Sequence, residues 1–317
     1  MQKYNLYPEK PELIEHQPKS SLSVTIFSLV IFAMSFLLFF EDQLQFIIQL
    51  IIVLVVHELG HFLMMKKFKY KNVRMLFIPL MGAFVQGKKR NYSEKQNFWV
   101  LIAGPFPGIF IGLGLLWYAG IDPKYGLWIS ELAALFLLLN IINLLPLDPL
   151  DGGQMFKLFA SKRKEIFLMI FALTSSLILI GVGAYISRYN SMGYVVVAFG
   201  FMMGLRVRSL QKQHLMHRDL KGEDVNYAIS YKLLSNEDFA KIKAVVLDHT
   251  PALKKYVDKV SSEISNPILA SQVNNVLETP IERDASMFFK AMILIIWLFS
   301  IFSPIILSLF FGVKWLG

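Results

Sequence analysis

Along the chain, apolar residues gather in long runs separated by shorter polar stretches. Seven runs can be traced, at about 22–40, 46–65, 98–118, 127–147, 166–186, 193–205 and 288–311. A helix needs roughly 20 apolar residues to cross a hydrocarbon core of about 30 Å, and all but the sixth run reach or approach that length. The pattern predicts an all-α polytopic membrane protein with about seven transmembrane helices. The first run is not read as a cleaved signal, because the segment before it is long and mixed in charge, and no A-x-A-like site follows.

One apolar stretch fits no span. Residues 73–87 read VRMLFIPLMGAFVQG, a segment too short to cross and interrupted by Pro79, Gly82 and Gly87. Such residues break helices, and non-helical backbone is tolerated at membrane depth only where protein or a cavity surrounds it. The segment is read as a re-entrant loop, which could take the form of an extended hairpin. A surface loop in the headgroups is the alternative. Residues 206–287 form the only sizeable polar region, long enough for a small cytoplasmic helical domain. Helix-like patches fall at 223–234 and 238–247, the second behind a possible cap at Ser235.

Composition narrows the picture. Of 317 residues, 55% are apolar and 17% charged, against about 45–50% and about 25% in a soluble domain. That excludes a disordered chain and a coiled coil, and a single soluble globule would lack surface charge. The net charge of +9 is unevenly placed. Of 32 Lys and Arg, 29 lie in the N-terminal tail, in 66–97, 149–165 and 206–287, or at Lys290; the other 3 are Lys124, Arg188 and Lys314. The excess is therefore an orientation signal and implies no nucleic-acid partner. It places the N-terminus in the cytoplasm and the C-terminus outside, in what is expected to be a bacterial cell membrane. The chain has no Cys, which removes disulfides, Cys-ligated zinc, iron–sulfur clusters and thiol nucleophiles.

The second run ends in His57-Glu58-Leu59-Gly60-His61, an H-E-x-x-H motif. Positions i and i+4 share a helix face, so both imidazoles can reach one metal ion. Glu58 lies about 100° round the helix, poorly placed as a third ligand but able to act on a water as general base. Zinc fits, because it takes nitrogen and oxygen ligands tetrahedrally and a catalytic site keeps one position for water. The motif can arise by chance on a polar helix face. Here it follows directly on the apolar run, roughly 8–14 Å below the basic cluster at 66–71 when counted at 1.5 Å per residue. Ionisable groups at that depth are costly and mark function by default.

A third ligand is needed. His16, His214, His217 and His249 all lie in polar segments, and a solvated helix face is expected for His214 and His217. The fourth run ends in Asn143-Leu144-Leu145-Pro146-Leu147-Asp148-Pro149-Leu150-Asp151-Gly152-Gly153. The second and fourth spans both run from outside to inside, so their cytoplasmic ends share a leaflet. Two prolines break the helix and two glycines allow a tight turn, so a carboxylate can be aimed back into the bundle. Asp148 and Asp151 both qualify by chemistry, and an interfacial turn acid is the ordinary role of either.

Together, His57–His61 on one span and Asn143-Leu144-Leu145-Pro146 with Leu150-Asp151-Gly152 on a later one resemble the site-2 protease family of intramembrane zinc metalloproteases. The resemblance covers about residues 46–155 and includes the Ala103-Gly104-Pro105 step. It implies that His57, His61 and Asp151 bind one Zn2+ per chain. Glu58 would be the general base, and Asn143 would help hold the tetrahedral oxyanion, where its ordinary role is a helix–helix hydrogen bond. The implied reaction is hydrolysis of a peptide bond in or near the transmembrane segment of a single-span membrane protein, within the lipid bilayer and near its cytoplasmic face, in regulated intramembrane proteolysis. Around the core at 46–155 lie a tail and first span at 1–45, two spans at 156–205, a cytoplasmic domain at 206–287, and a last span with an outer C-terminus at 288–317.

Two positions depart from the family's pattern. Gly108 stands where members often carry Asn, which puts the packing of the third span in question. Asp148 stands where the residue is usually apolar, and at the interface it is expected to be solvent-exposed. Among rival readings, a metalloprotease with Glu131 as third ligand would need it to cross about a full span from His57. An inactive protease-like scaffold is disfavoured by the intact Glu58. A metal transporter would carry polar residues on several helices near the midplane, where only Asn140 and Asn143 come close. Gly200 and Gly204 fit close helix packing.

Overall fold

The computed structural model describes residues 7–14, 22–39, 43–79, 82–89, 92–121, 126–159, 164–189, 192–278 and 281–311. His16, Glu41, Asp42, Lys124 and residues 312–317 lie outside them. The first two apolar runs are helices α1 (Leu22–Phe39) and α2 (Leu44–Lys67). Lys66 and Lys67 occupy the last turn of α2, where cations complement the helix dipole.

Residues 73–87 are an exception to the all-helical expectation. The described residues among them belong to an antiparallel hairpin of β1 (Lys71–Ile78) and β2 (Gly82–Lys88), with Leu76 opposite Phe84 and Ile78 opposite Gly82. Gly82 has φ of 108°, a conformation that glycine adopts without penalty. In β1, Val73, Met75 and Phe77 are buried at every second position, as a strand with one covered face requires. Met75 and Phe77 pack with Phe32, Phe36, Ile47 and Leu50 of α1 and α2. The outer edge of β1 is held by α1, where Thr25 Oγ1 donates to the Met75 carbonyl at 2.8 Å and Ser28 Oγ accepts from the Phe77 amide at 3.2 Å.

The third run is two helices. A short strand β3 (Tyr92–Ser93) leads into α3 (Glu94–Ala103), and α4 (Pro105–Ile121) follows after Gly104. Pro105 has no N–H to donate, so the helical ladder breaks there. The fourth run, α5 (Gly126–Asn143), stops short of the expected residue 147, because Pro146 and Pro149 cannot continue it. Residues 144–150 are an irregular loop that enters the short α6 (Asp151–Leu158).

Next come α7 (Lys164–Ile186) and α8 (Met192–Gly222). They pack closely at Gly200, whose carbonyl accepts from Ser176 Oγ at 2.8 Å. The expected boundary at 205 falls inside α8. Residues 206–221 contain neither Gly nor Pro, so nothing stops the helix where the apolar run ends.

The patch expected as helix at 223–234 is irregular, with a single 3-10 turn at Tyr231–Leu233. Ser235 does cap α9 (Asn236–Asp248), its Oγ accepting from the Asp238 amide at 3.0 Å. Helices α10 (Pro251–Val257) and α11 (Ser262–Val276) complete this region. Phe239, Ile242, Ala270 and Val273 share a core with Leu220 of α8. Strand β4 (Ile281–Glu282) then pairs with β3 in parallel and delivers the chain to α12 (Met287–Phe311). Asp284 ties this return to α3, accepting from Ser93 Oγ at 2.7 Å and the Lys95 amide at 3.1 Å.

Helical stretches at 44–67, 94–119, 165–186 and 193–222 are long and apolar enough to cross a membrane, and 22–38, 127–143 and 287–303 are shorter apolar helices. The chain is a mostly helical integral membrane protein.

Candidate metal centre

Helix α2 buries His57, Glu58 and His61 near its C-terminal end. The two Nε2 atoms lie 3.2 Å apart, and each is 3.1 Å from Asp151 Oδ2. Asp151 reaches them because the first turn of α6 folds tightly onto the loop before it. A Cβ at Gly152 would lie 2.0 Å from the Leu144 carbonyl oxygen, and one at Gly153 would lie 2.2 Å from that of Leu147. Both glycines are therefore steric requirements for presenting the carboxylate. Of the two acids open as ligand by chemistry, the structure brings Asp151 to the histidines.

The other nitrogen of each ring fixes its tautomer. His57 Nδ1 is 2.8 Å from Asn140 Oδ1, and His61 Nδ1 is 2.7 Å from the Val100 carbonyl oxygen. Asn140 is itself oriented, since its Nδ2 donates to the Phe136 carbonyl at 2.6 Å. Both Nδ1 atoms face acceptors and carry a proton, so in the neutral ring each Nε2 turns a lone pair toward Asp151 Oδ2. Two imidazole nitrogens and a carboxylate oxygen thus converge on one point. With both rings neutral that crowding is repulsive alone and favourable around a cation, and the donor set is one that zinc takes at catalytic sites. The Asn140 and Val100 bonds are the kind that orient metal-binding histidines. Beside them Glu58 Oε2 is buried and has no hydrogen-bond partner among the described residues. The residues present fit a metal ion with an acceptor waiting next to it.

Asn140, fully buried, is the residue that sequence reasoning missed as a partner of the site. The available signal was an amide one turn before Asn143 on an apolar helix. Gly108 has its explanation here. A Cβ at that position would lie 2.2 Å from Asn140 Nδ2, so the glycine makes room for Asn140 and does not loosen the packing. Gly104 is as tight against His61, whose Nε2 would be 2.2 Å from a Cβ there. Asn143 is half-buried, and its Nδ2 donates to the Leu139 carbonyl of its own helix at 3.1 Å.

Two expectations are corrected. Asp148 is not exposed but 1% accessible. Its Oδ1 accepts from Lys157 Nζ, from Gln154 Nε2 at 3.2 Å and from Arg206 Nη1 at 3.2 Å, while its amide donates to Ser175 Oγ at 3.0 Å. The uninterrupted α8 carries Arg206 to the loop, and two cations offset the cost of burying the carboxylate. His217 does not lie on a solvated face but is fully buried and hydrogen-bonded. Glu131 accepts from Gln45 Nε2 at 2.7 Å. That places it about 18 Å along α2 from His57 at 1.5 Å per residue, out of reach of the site.

Residues 45–126 match the model of Peptidase family M50. The chain is 29% identical over 114 residues to the stage IV sporulation protein FB of Bacillus subtilis, covering 36% of this chain and 40% of that protein. It is 32% identical over 119 residues to a zinc metalloprotease of Methanocaldococcus jannaschii, covering 37% of this chain and 34% of that one. The matches thus span less than half the length of these relatives. A solved site-2 protease from Methanocaldococcus jannaschii aligns at 22% identity and a TM-score of 0.43, covering 58% of this chain and 87% of that one. The family match and the two relatives bear out the resemblance to the site-2 proteases read from the paired motifs. The family match ends at residue 126, so the place of Asp151 in the centre rests on geometry.

Proposed function

We propose that the chain is an intramembrane zinc metalloprotease that cleaves a single-span membrane protein in or near its transmembrane segment, as a step of regulated intramembrane proteolysis. The observation that supports this most is the convergence of His57 Nε2, His61 Nε2 and Asp151 Oδ2 beside Glu58 Oε2, which is unpartnered among the described residues. In this reading His57, His61 and Asp151 hold one zinc ion. When bound, zinc supplies Lewis acidity that polarises the scissile carbonyl and makes water a nucleophile at neutral pH. Glu58 takes the attacking water's proton and delivers it to the leaving amine, a general-base then general-acid role. Asn143 has a second amide hydrogen beyond the one used on Leu139, and this donates to the oxyanion as charge develops. Asn140 and the Val100 carbonyl hold the two rings in register throughout.

The seven apolar helices are read as spans, with the N-terminus cytoplasmic, the C-terminus outside and the site near the cytoplasmic face of a bacterial cell membrane. The core at 46–155 and the cytoplasmic domain at 206–287 are part of the same reading. A helical substrate shields its own peptide bonds, so it must unwind locally. The hairpin can take up the unwound segment by strand addition. The outer edge of β1 is held by α1, so the added strand pairs with β2. Phe77 is a core residue at 3% exposure, while Phe84 is 38% exposed, so Phe84→Asp tests the hairpin without breaking the fold. Wild-type cleavage by that variant would overturn strand addition.

The main test is Glu58→Gln with a co-expressed single-span substrate. The variant should retain bound zinc and lose cleavage by about 100-fold or more, the usual worth of a general base. Full activity would refute the assignment.

A further inference from the structure

A second cluster of metal-binding side chains lies away from the site above, where α7 and α8 meet the segment that follows α11. His217 on α8 is fully buried. Its Nε2 is 2.8 Å from the Val276 carbonyl oxygen, which can only accept, so Nε2 carries the proton. Its ring stacks on Tyr227 at 4.1 Å between centroids. The Nδ1 of His217 faces two carboxylates. Glu165 Oε1 of α7 is 2.8 Å away and Glu278 Oε1 is 3.9 Å away. The other oxygen of Glu165 is 2.6 Å from His214 Nδ1, which fixes the carboxylate's orientation. The arrangement parallels the first centre, where a backbone carbonyl likewise anchors the far nitrogen of His61.

We propose that Glu165, His217 and Glu278 form a second binding site for a divalent cation of the zinc class, with His214 orienting Glu165. Two carboxylates face one ring nitrogen, and a proton on it can bridge to only one of them at 2.8 Å, whereas a divalent ion that displaces that proton can bridge both and balance their charge. Imidazole with carboxylate oxygen is a donor set that zinc and its neighbours accept. An ion 2.0–2.2 Å from each donor needs donors about 3.3 Å apart. Glu165 must then withdraw by about 0.5 Å and Glu278 must close by a similar distance. Glu278 can do so, since its side chain is 36% exposed. A cavity of about 210 Å³ beside the cluster, lined by Leu168, Leu210, Gln213 and His214, leaves room for a water as fourth ligand. Glu165 comes from the start of α7, while His217 and Glu278 both belong to the 206–287 region, so the ion clamps that region to the N-terminal end of α7.

The test counts metal independently of the first centre. The full chain, purified in detergent with zinc and desalted, is analysed by plasma mass spectrometry as wild type, His57→Ala/His61→Ala, and the latter with His217→Ala. Two, one and no ions per chain are expected, and zinc should raise the thermal midpoint of the double variant but not of the triple one. A double variant without zinc would mean that a proton alone bridges the cluster and would overturn the site. A zinc ion retained by a folded triple variant would overturn it as well. Should His217→Ala fail to fold, Glu278→Gln in the same double-variant background decides. At least tenfold weaker zinc binding supports the site and unchanged binding refutes it. If instead the wild type holds one ion that the double variant keeps, the second site stands and the first centre fails.

Discussion

Replacing Gly104 by alanine probes how narrowly the His57–His61–Asp151 centre is built. The new Cβ would lie 2.2 Å from His61 Nε2, 2.5 Å from Cε1 and 2.7 Å from Cδ2. Ordinary contact begins near 3.4 Å, so the ring must retreat by about 1.2 Å. Metal–ligand distances tolerate about 0.2 Å. The ring cannot retreat freely, because Nδ1 is held by the Val100 carbonyl at 2.7 Å. Either that bond breaks or α4 moves away from α2. Loss of an orienting bond weakens metal binding by about 10–100-fold, and a shift of about 1 Å costs about 100-fold in rate. Overpacking should also lower stability by about 1–3 kcal/mol. Gly114→Ala, in α4 and with nothing within 4 Å of its Cβ among the described residues, is the control. It should be neutral or gain up to about 1 kcal/mol from helix propensity. Zinc content, cleavage of a single-span substrate and thermal midpoint are measured for both. A Gly104→Ala protein with wild-type zinc affinity and rate would show that His61 is not confined as described, and the reasoning would fail.

Asn140→Ala should weaken zinc binding by about 10–100-fold, the usual cost of losing an orienting partner. Asn140→Asp, which keeps the acceptor for His57 Nδ1, should retain most of it; equal loss in both would point to packing alone. Asp148→Ala leaves Lys157 and Arg206 facing a buried void and should cost about 3 kcal/mol by thermal denaturation, the low end for a broken buried pair because Arg206 is partly exposed. An unchanged midpoint would show that the loop before Asp151 is not pinned there. The absence of native Cys makes single-cysteine labelling clean. On intact cells an impermeant thiol reagent should modify Tyr189→Cys and not Ser261→Cys, and the reverse would invert the proposed orientation.

The apolar helices were legible from sequence alone because a membrane helix satisfies its own backbone locally, so an unbroken run of apolar residues is close to sufficient. The pairing of His57 and His61 was legible for the same reason, since residues four apart share a face at any place in a fold. The hairpin at 71–88 was half-visible. Pro79 and Gly82 marked a break, but the strand pairing depended on α1 and α2 offering a surface for Met75 and Phe77. The length of α8 was misjudged because hydropathy ends at 205 while helix propensity does not. What tertiary structure alone decided was the set of partners distant in sequence. Asn140 meets His57 across 83 positions, and Asp151 meets His61 across 90. Asp148 and Asp151 are equal as chemistry, and only the steric fit of Gly152 and Gly153 against the loop, with Arg206 arriving from α8, turns one toward the histidines and locks the other into an ion cluster. Local propensity and motif spacing carry no information about such contacts, because their energy depends on which surfaces the folded bundle brings together.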